Sequence, residues 1–223
     1  MISRWSPQEH AARIDALLSR APALPVLAIE RLDDAVPLAR ALVDAGLPVL
    51  EVTLRTDCAL EAIARIVAEV PGACVGAGTV LDARDLAAVE AAGAAFAISP
   101  GATAALYATA QHAAIPWIPA IATASELMRG LEHGHQRFKF FPAQSSGGTA
   151  ALRAFAGPFP QARFCPTGGI DADSAPLYLA LANVMTVGGS WMVPRDALAA
   201  RDWAAIKALA CACVGPPVAA IDP

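Results

Sequence analysis

The sequence predicts an α/β fold: a single parallel (β/α)8 barrel of the TIM type, with one extra helix at its N-terminus. Three observations lead there. A unit of short apolar strand, turn and Ala/Leu-rich helical stretch recurs about every 20–25 residues, within reach of a minimal βαβ crossover. Eight candidate strands alternate with eight helical stretches, which favours a closed parallel sheet over an open one. The 223 residues fit one domain at the small end of the barrel range. An open doubly wound sheet is the competing architecture, and two small domains the competing organisation.

In chain order, residues 7–20 read as an amphipathic helix ahead of the first strand, placed to close the N-terminal mouth of a barrel; residues 1–22 are the N-terminal helical segment of a domain spanning 1–223. Candidate strands are 24–30, 49–54, 74–80, 96–99, 117–121, 138–141, 163–167 and 184–188. Candidate helices are 33–45, 57–69, 83–92, 102–112, 124–133, 149–155, 172–182 and 197–213. Asp33, Asp57, Asp82, Thr123 and Asp171 stand where helix N-caps belong. Gly46, Gly93 and Gly134 stand just past helix ends. The Pro/Ala-rich tail 215–223 is expected to fray.

Composition narrows the function classes. Apolar residues make up 56% and charged residues 16%, which suits much buried surface, a subunit interface included. No apolar run is long and pure enough to span a bilayer. Residues 1–20 carry Glu9 and Asp15 and lack the apolar centre of a signal peptide, so a cytoplasmic protein is expected. The formal charge of −4 and the absence of a basic block give no electrostatic footprint for nucleic acid. Five cysteines, an odd number with no CxxC pair, read as free thiols in a reducing compartment.

Strands covered on both faces should be almost wholly apolar, so polar residues on them are informative. In Val49-Leu-Glu-Val-Thr-Leu-Arg55, the alternation sends Leu50, Val52 and Leu54 toward the helices and Glu51, Thr53 and Arg55 into the barrel. An ion pair on an exposed edge strand is the bland alternative, but a barrel has no edges. Buried charges need partners. Glu51 and Arg55 do not satisfy each other fully, and a substrate and a second cation would complete the arrangement.

Phe138-Lys-Phe-Phe-Pro142 places Lys139 and Phe141 on one face. Burying a lysine cation among aromatics is costly, which favours the neutral amine, the form that attacks a carbonyl to make an imine. The alternative is a lysine snorkelling at the rim. The chain has 16 Lys+Arg but only two lysines, Lys139 and Lys207, so lysine is kept where arginine could not do this chemistry. The glycine loops Pro166-Thr-Gly-Gly-Ile170 and Gly188-Gly-Ser-Trp-Met192 follow the last two strands, the usual phosphate site of such barrels. His133-Gly-His135 reads as a turn and Cys211-Ala-Cys213 as a helix end. The tryptophans read as core or interface, and no zinc or magnesium signature stands out.

Gly46-Leu-Pro-Val-Leu-Glu-Val-Thr-Leu-Arg55 and Gly134-His-Gln-Arg-Phe-Lys-Phe-Phe-Pro-Ala143 resemble the two active-site signatures of the bacterial KDPG/KHG aldolases. These are 2-keto-3-deoxy-6-phosphogluconate and 4-hydroxy-2-oxoglutarate aldolases. Gly76-Ala-Gly-Thr-Val80, Phe96-Ala-Ile-Ser-Pro-Gly101, Phe164-Cys-Pro-Thr-Gly-Gly-Ile170 and Gly188-Gly-Ser-Trp191 are also similar to that family, so the likeness runs from about 24 to 214. The resemblance implies a class I mechanism without metal or organic cofactor, at the C-terminal end of the barrel, in a homotrimer. It implies Lys139 as the imine-forming nucleophile and Glu51 as general acid/base, working through a water that Thr79 and Thr167 help hold. Arg55 and Thr79 would bind the pyruvate carboxylate, and Pro100 and Phe141 would pack on the pyruvate portion. Gly168, Gly169, Gly189 and Ser190 would bind the phosphate. Two positions depart from the family pattern: Gln144 stands where glutamate is expected, and Ala120 where glycine is expected. The reaction implied is reversible cleavage of 2-keto-3-deoxy-6-phosphogluconate to pyruvate and glyceraldehyde 3-phosphate. The rivals are 4-hydroxy-2-oxoglutarate or the galactonate epimer as substrate, a phosphate-binding barrel isomerase or epimerase, and a non-enzymatic anion-binding barrel.

Overall fold

Ser6 starts the first helix, α1 (Pro7–Leu18), through a capping box: its hydroxyl accepts from Glu9 N at 3.2 Å, and the Glu9 carboxylate accepts from Ser6 N at 2.8 Å. This is the N-terminal helix expected from 7–20. The computed structural model describes residues 4–214, so the tail 215–223 lies outside the described residues. Ile14 and Leu18 of α1 are buried in one cluster with Leu24, Val49, Phe96, Ile98, Ile118 and Cys165, side chains from the inner face of the sheet. The helix therefore closes the N-terminal end of the sheet. Asp15 and Arg137 fasten it there with two bonds of 2.6 Å each.

The strands are β1 (Ala23–Leu27), β2 (Val49–Thr53), β3 (Cys74–Gly78), β4 (Phe96–Ile98), β5 (Trp117–Ile118), β6 (Ala120–Ile121), β7 (Arg137–Phe140), β8 (Arg163–Pro166) and β9 (Val187–Gly189). Every pairing between them is parallel. One run of neighbours is β5-β4-β3-β2-β1-β9 and another is β6-β7-β8. β5 and β6 are the halves of the expected strand 117–121, parted at Pro119, which has no N–H for a ladder. The Pro119 carbonyl instead accepts from Lys139 N at 3.0 Å, which hands the pairing on to β7. Isolated bridges Phe164–Val184 and Thr167–Gly188 join β8 to the segment carrying β9. The result is an α/β fold with a curled parallel sheet.

The remaining helices are α2 (Ala35–Asp44), α3 (Ala59–Glu69), α4 (Ala83–Ala91), α5 (Ala104–Ala110), α6 (Ala124–Glu132), α7 (Gly148–Ala156), α8 (Ala175–Leu179), α9 (Arg195–Ala199) and α10 (Trp203–Val214). Leu50 and Val52 lie in the large core between sheet and helices, as the alternation requires. Asp82 and Thr123 cap α4 and α6 as expected, and Gly46, Gly93 and Gly134 follow α2, α4 and α6 at positive φ. Three expected caps need correction. Asp33 lies inside a short 3-10 turn before α2, and Asp57 precedes α3 without capping it. Asp171 binds Ser174 in a turn, and α8 starts only at Ala175. The single expected helix 197–213 is two helices, broken where Arg201 takes φ 56°.

Candidate active site

The inner face of β2 carries Glu51 and Thr53, both buried. Their register neighbours on β3 are Gly76 and Gly78. A Cβ at Gly78 would overlap the Glu51 carboxylate, and one at Gly76 would overlap the Phe96 ring. Glycine on β3 thus makes room for a carboxylate on β2.

Lys139 enters the same space from β7, between Ala120 and Cys165 in register. Its Nζ donates to Glu51 Oε1 at 2.9 Å, with Glu51 1% and Lys139 6% exposed. The second cation that Glu51 needs is therefore Lys139, whose charge is answered by a carboxylate rather than left among aromatics alone. The Phe141 ring still lies 5.4 Å from Nζ. Glu51 Oε2 is buried and has no hydrogen-bond partner among the described residues. That oxygen is free to accept from a water or a substrate hydroxyl, since a buried acceptor left unpaired is costly. Beside the pair, burial pushes the Cys165 thiol up to about 12, partly offset by the Lys139 charge, so it stays protonated.

Arg55 stands two residues past the end of β2 and is exposed, at the mouth of the C-terminal end on the same side as the buried Thr53. Its Nε donates to Thr53 Oγ1 at 3.0 Å, and Thr53 Oγ1 donates to Leu27 O at 2.8 Å. Thr79 follows β3 directly and is half-buried at φ 62°, a left-handed conformation uncommon for a non-glycine residue. Pro100 is half-buried in the turn after β4.

The two glycine loops meet at Thr167, which is buried and bridged to Gly188; a Cβ at Gly188 would overlap Thr167 Oγ1. Gly168 and Gly169 have φ 102° and 75°. Ala143 N donates to Thr167 O at 2.8 Å and Gln144 N to Gly168 O at 3.0 Å, so the segment after Lys139 is stitched to this loop. A Cβ on Gly169 would stand 2.6 Å from Gln144 Cβ, and one on Gly189 would overlap the Trp191 ring. Ser190 is exposed at the end of β9. Of the two departures from the family pattern, Gln144 Oε1 accepts from Tyr178 Oη at 3.1 Å, and Ala120 is the register neighbour of Lys139.

Sequence reasoning missed a cavity of about 450 Å³ at this same end, reached by Arg55 and Ser190 and walled by Glu30, Arg31, Asp34 and Arg195. Asp34 is buried between two guanidiniums: Arg31 Nε on Oδ2 and Arg201 Nε on Oδ1, each at 2.7 Å. Arg31 and Asp34 at i, i+3 are the one local signal for it. Arg201 lies too far along the chain to be read.

At the opposite end, His10 of α1 and His135 before β7 are buried edge to face, ring centroids 4.8 Å apart. Burial holds His10 down at about 4 and His135 at about 3. His133-Gly-His135 is the helix-to-strand turn expected, with Gly134 at φ 83°.

Comparison with known proteins agrees with this geometry. The family model of KDPG and KHG aldolase matches residues 14–209. The KHG/KDPG aldolase of Escherichia coli (strain K12) is 55% identical over 196 residues, 88% of this chain and 92% of that protein. The 2-dehydro-3-deoxy-phosphogluconate aldolase of Pseudomonas aeruginosa is 50% identical over 202 residues, 91% of this chain and 92% of that protein. Among solved structures, the KDPG aldolase from Legionella pneumophila was seen with pyruvate captured at low pH as a covalent carbinolamine intermediate. It superposes with a TM-score of 0.88 at 47% identity, over 90% of this chain and 97% of that one. The 2-keto-3-deoxy-6-phosphogluconate aldolase of Zymomonas mobilis ZM4, seen with 3-phosphoglycerate, superposes at 0.86 with 51% identity, over 91% and 95%. With a buried lysine–glutamate pair at the C-terminal end of a curled parallel sheet and relatives matching along nearly its whole length, this chain belongs to the KDPG and KHG aldolase family.

Proposed function

We propose that the chain is a class I aldolase that reversibly cleaves 2-dehydro-3-deoxy-6-phosphogluconate to pyruvate and glyceraldehyde 3-phosphate. The observation that carries this reading is the buried Lys139–Glu51 pair at 2.9 Å, with Glu51 Oε2 unpartnered. Lys139 attacks C2 of the keto acid once its proton has passed along that hydrogen bond to Glu51. The carbinolamine loses water, using the proton held by Glu51, and becomes a protonated imine. Glu51, again a carboxylate, accepts the C4 hydroxyl proton through a water on Oε2, positioned by Thr79 and Thr167. The C3–C4 bond breaks, its electron pair runs to the imine nitrogen, and the aldehyde leaves. The enamine takes a proton at C3, and hydrolysis frees pyruvate and Lys139.

Arg55 and Thr79 hold the carboxylate, with Pro100 and Phe141 packed on the pyruvate carbons. Gly168, Gly169, Gly189 and Ser190 hold the phosphate through backbone N–H groups and a hydroxyl. No step uses a metal or an organic cofactor. The name of the Escherichia coli relative, KHG/KDPG aldolase, supports 4-hydroxy-2-oxoglutarate as a second substrate; the galactonate epimer is the remaining aldol alternative.

The closed eight-stranded barrel belongs to this proposal. Its support is the Thr167–Gly188 bridge, which links β8 to β9, and the handover at Pro119, which links the end of β5 to β7. One domain over 1–223 and a homotrimer belong to it as well, the latter supported by exposed Leu60, Val67 and Leu177. A cytoplasmic site is supported by the free cysteines. Among the described residues, no helix is long and apolar enough to cross a membrane. Borohydride reduction in the presence of pyruvate tests the reading: one adduct per chain is expected on Lys139, and an adduct on Lys207, or none, would overturn it.

A further inference from the structure

The proposed phosphate cradle contains no cation. Gly168, Gly169, Gly189 and Ser190 are all neutral, yet a phosphate monoester carries close to two negative charges at pH 7. Charge-assisted bonds to phosphate are shorter and stronger than neutral ones, and arginine suits the geometry best. The cavity of about 450 Å³ that reaches Ser190 is walled by three arginines, Arg31, Arg55 and Arg195. Two are already committed. Arg31 is bound to Asp34 at 2.7 Å, and its other nitrogen donates to Leu198 O and Ala199 O. Arg55 donates to Thr53 and belongs to the carboxylate end of the substrate. The side chain of Arg195, the first residue of α9, is exposed and makes no hydrogen bond or ion pair among the described residues. Its helix is held firmly: Arg31 grips the α9 carbonyls, and Asp34 ties Arg31 to Arg201 beyond the helix.

We propose that Arg195 is the specificity-determining cation of this enzyme, which closes on the phosphate of the substrate from the cavity side. The inference rests on the aldolase reading above. It adds a charged determinant on α9 to the neutral cradle in the preference for a phosphorylated substrate over 4-hydroxy-2-oxoglutarate. The other acid of the cavity wall, Glu30, is exposed and opposes an anion there.

The test compares KM and kcat of the wild type, Arg195→Ala, Arg195→Lys and Glu30→Gln with the phosphorylated substrate, alongside competitive inhibition by inorganic phosphate. Arg195→Ala should raise KM about tenfold with kcat changed much less, as expected for loss of a bond to a charged group. Inhibition by inorganic phosphate should weaken in parallel, and Arg195→Lys should recover part of the loss. Glu30→Gln should move KM the other way, by up to about fivefold, the range of exposed charge interactions. The KM gap between wild type and Arg195→Ala should narrow as salt is added. An unchanged KM for Arg195→Ala, or a fall in kcat with KM intact, would overturn the assignment. Borohydride trapping with pyruvate, which has no phosphate, is run on the same proteins. If it fails in the wild type, the aldolase reading fails; if it succeeds in all four while KM does not move, the Arg195 proposal alone fails.

Discussion

The two ends of the sheet are built on opposite principles. At the N-terminal end α1 is packed over an apolar inner layer, and even the titratable groups there, His10 and His135, are buried in their neutral form. At the C-terminal end the inner layer changes to Glu51, Thr53, Lys139 and Thr167, with glycines opposite all but Lys139, a residue in a left-handed conformation at Thr79 and an open cavity. The difference teaches that one end supplies the rigidity against which the other keeps charges buried. A carboxylate and an ammonium out of water are costly unless they are held in good geometry. Glu51 and Lys139 are held by strands whose lower halves are fixed by the apolar layer. In parallel α/β barrels residues at the C-terminal strand ends carry chemistry and those at the other end carry stability.

The largest effect should come from Lys139→Ala, which breaks the C-terminal end at its centre. Turnover and borohydride trapping should both fall to background, while far-UV circular dichroism stays native. Retained trapping would move the nucleophile elsewhere. Gly169→Val should come next. It forces a branched side chain onto φ 75° and into Gln144. Strain of this kind is worth of order 1–3 kcal/mol, so affinity for the phosphorylated substrate should drop about tenfold or more. Trapping of pyruvate should persist, because pyruvate does not reach that loop. Equal loss of both would mean the loop supports the lysine rather than the phosphate.

How far these contrasts could be read without coordinates depends on the range of the interactions. The alternation in 49–53 was enough to send Glu51 inward, and the scarcity of lysine was enough to single out Lys139. Their contact joins residues 88 apart and follows from neither segment alone. The strand stops at Thr53, which periodicity does not announce, and Arg55 keeps to the side of Thr53 through a hydrogen bond rather than through the ladder. Pro119 was visible as a residue that cannot donate, yet the switch of pairing it marks is a property of the sheet. The break of the last helix at Arg201 was hidden because a polar residue in a helical pattern carries no mark of a positive φ. The Asp34 clamp uses Arg201 at that break, so it was hidden with it.

The smallest effect belongs to the N-terminal end and depends on pH. Burial lowers His10 to about 4 and His135 to about 3, below the ordinary histidine value of 6.5. The unfolded chain therefore binds more protons between those values. This contribution is fully present above about pH 6.5 and is lost as pH falls toward 4. The thermal midpoint should drop by at least about 3 °C over that interval, the shift that roughly 1 kcal/mol produces in a chain of this size. His135→Phe should flatten the slope. A slope unchanged in that variant would overturn the assignment of the acid sensitivity to the histidine pair.

The central claim is that Lys139 and Glu51, though paired, divide the chemistry into nucleophile and base. Exchange of the pyruvate methyl protons with deuterated water in Glu51→Gln, read by NMR beside borohydride trapping, tests it most directly. The variant keeps the shape of the side chain but cannot accept a proton. Trapping on Lys139 should persist, more slowly, because imine formation also moves protons. Methyl exchange should fall by roughly 100- to 10,000-fold, the usual worth of general acid–base help. Exchange at the wild-type rate in Glu51→Gln would contradict the account and reduce Glu51 to a counter-ion for Lys139.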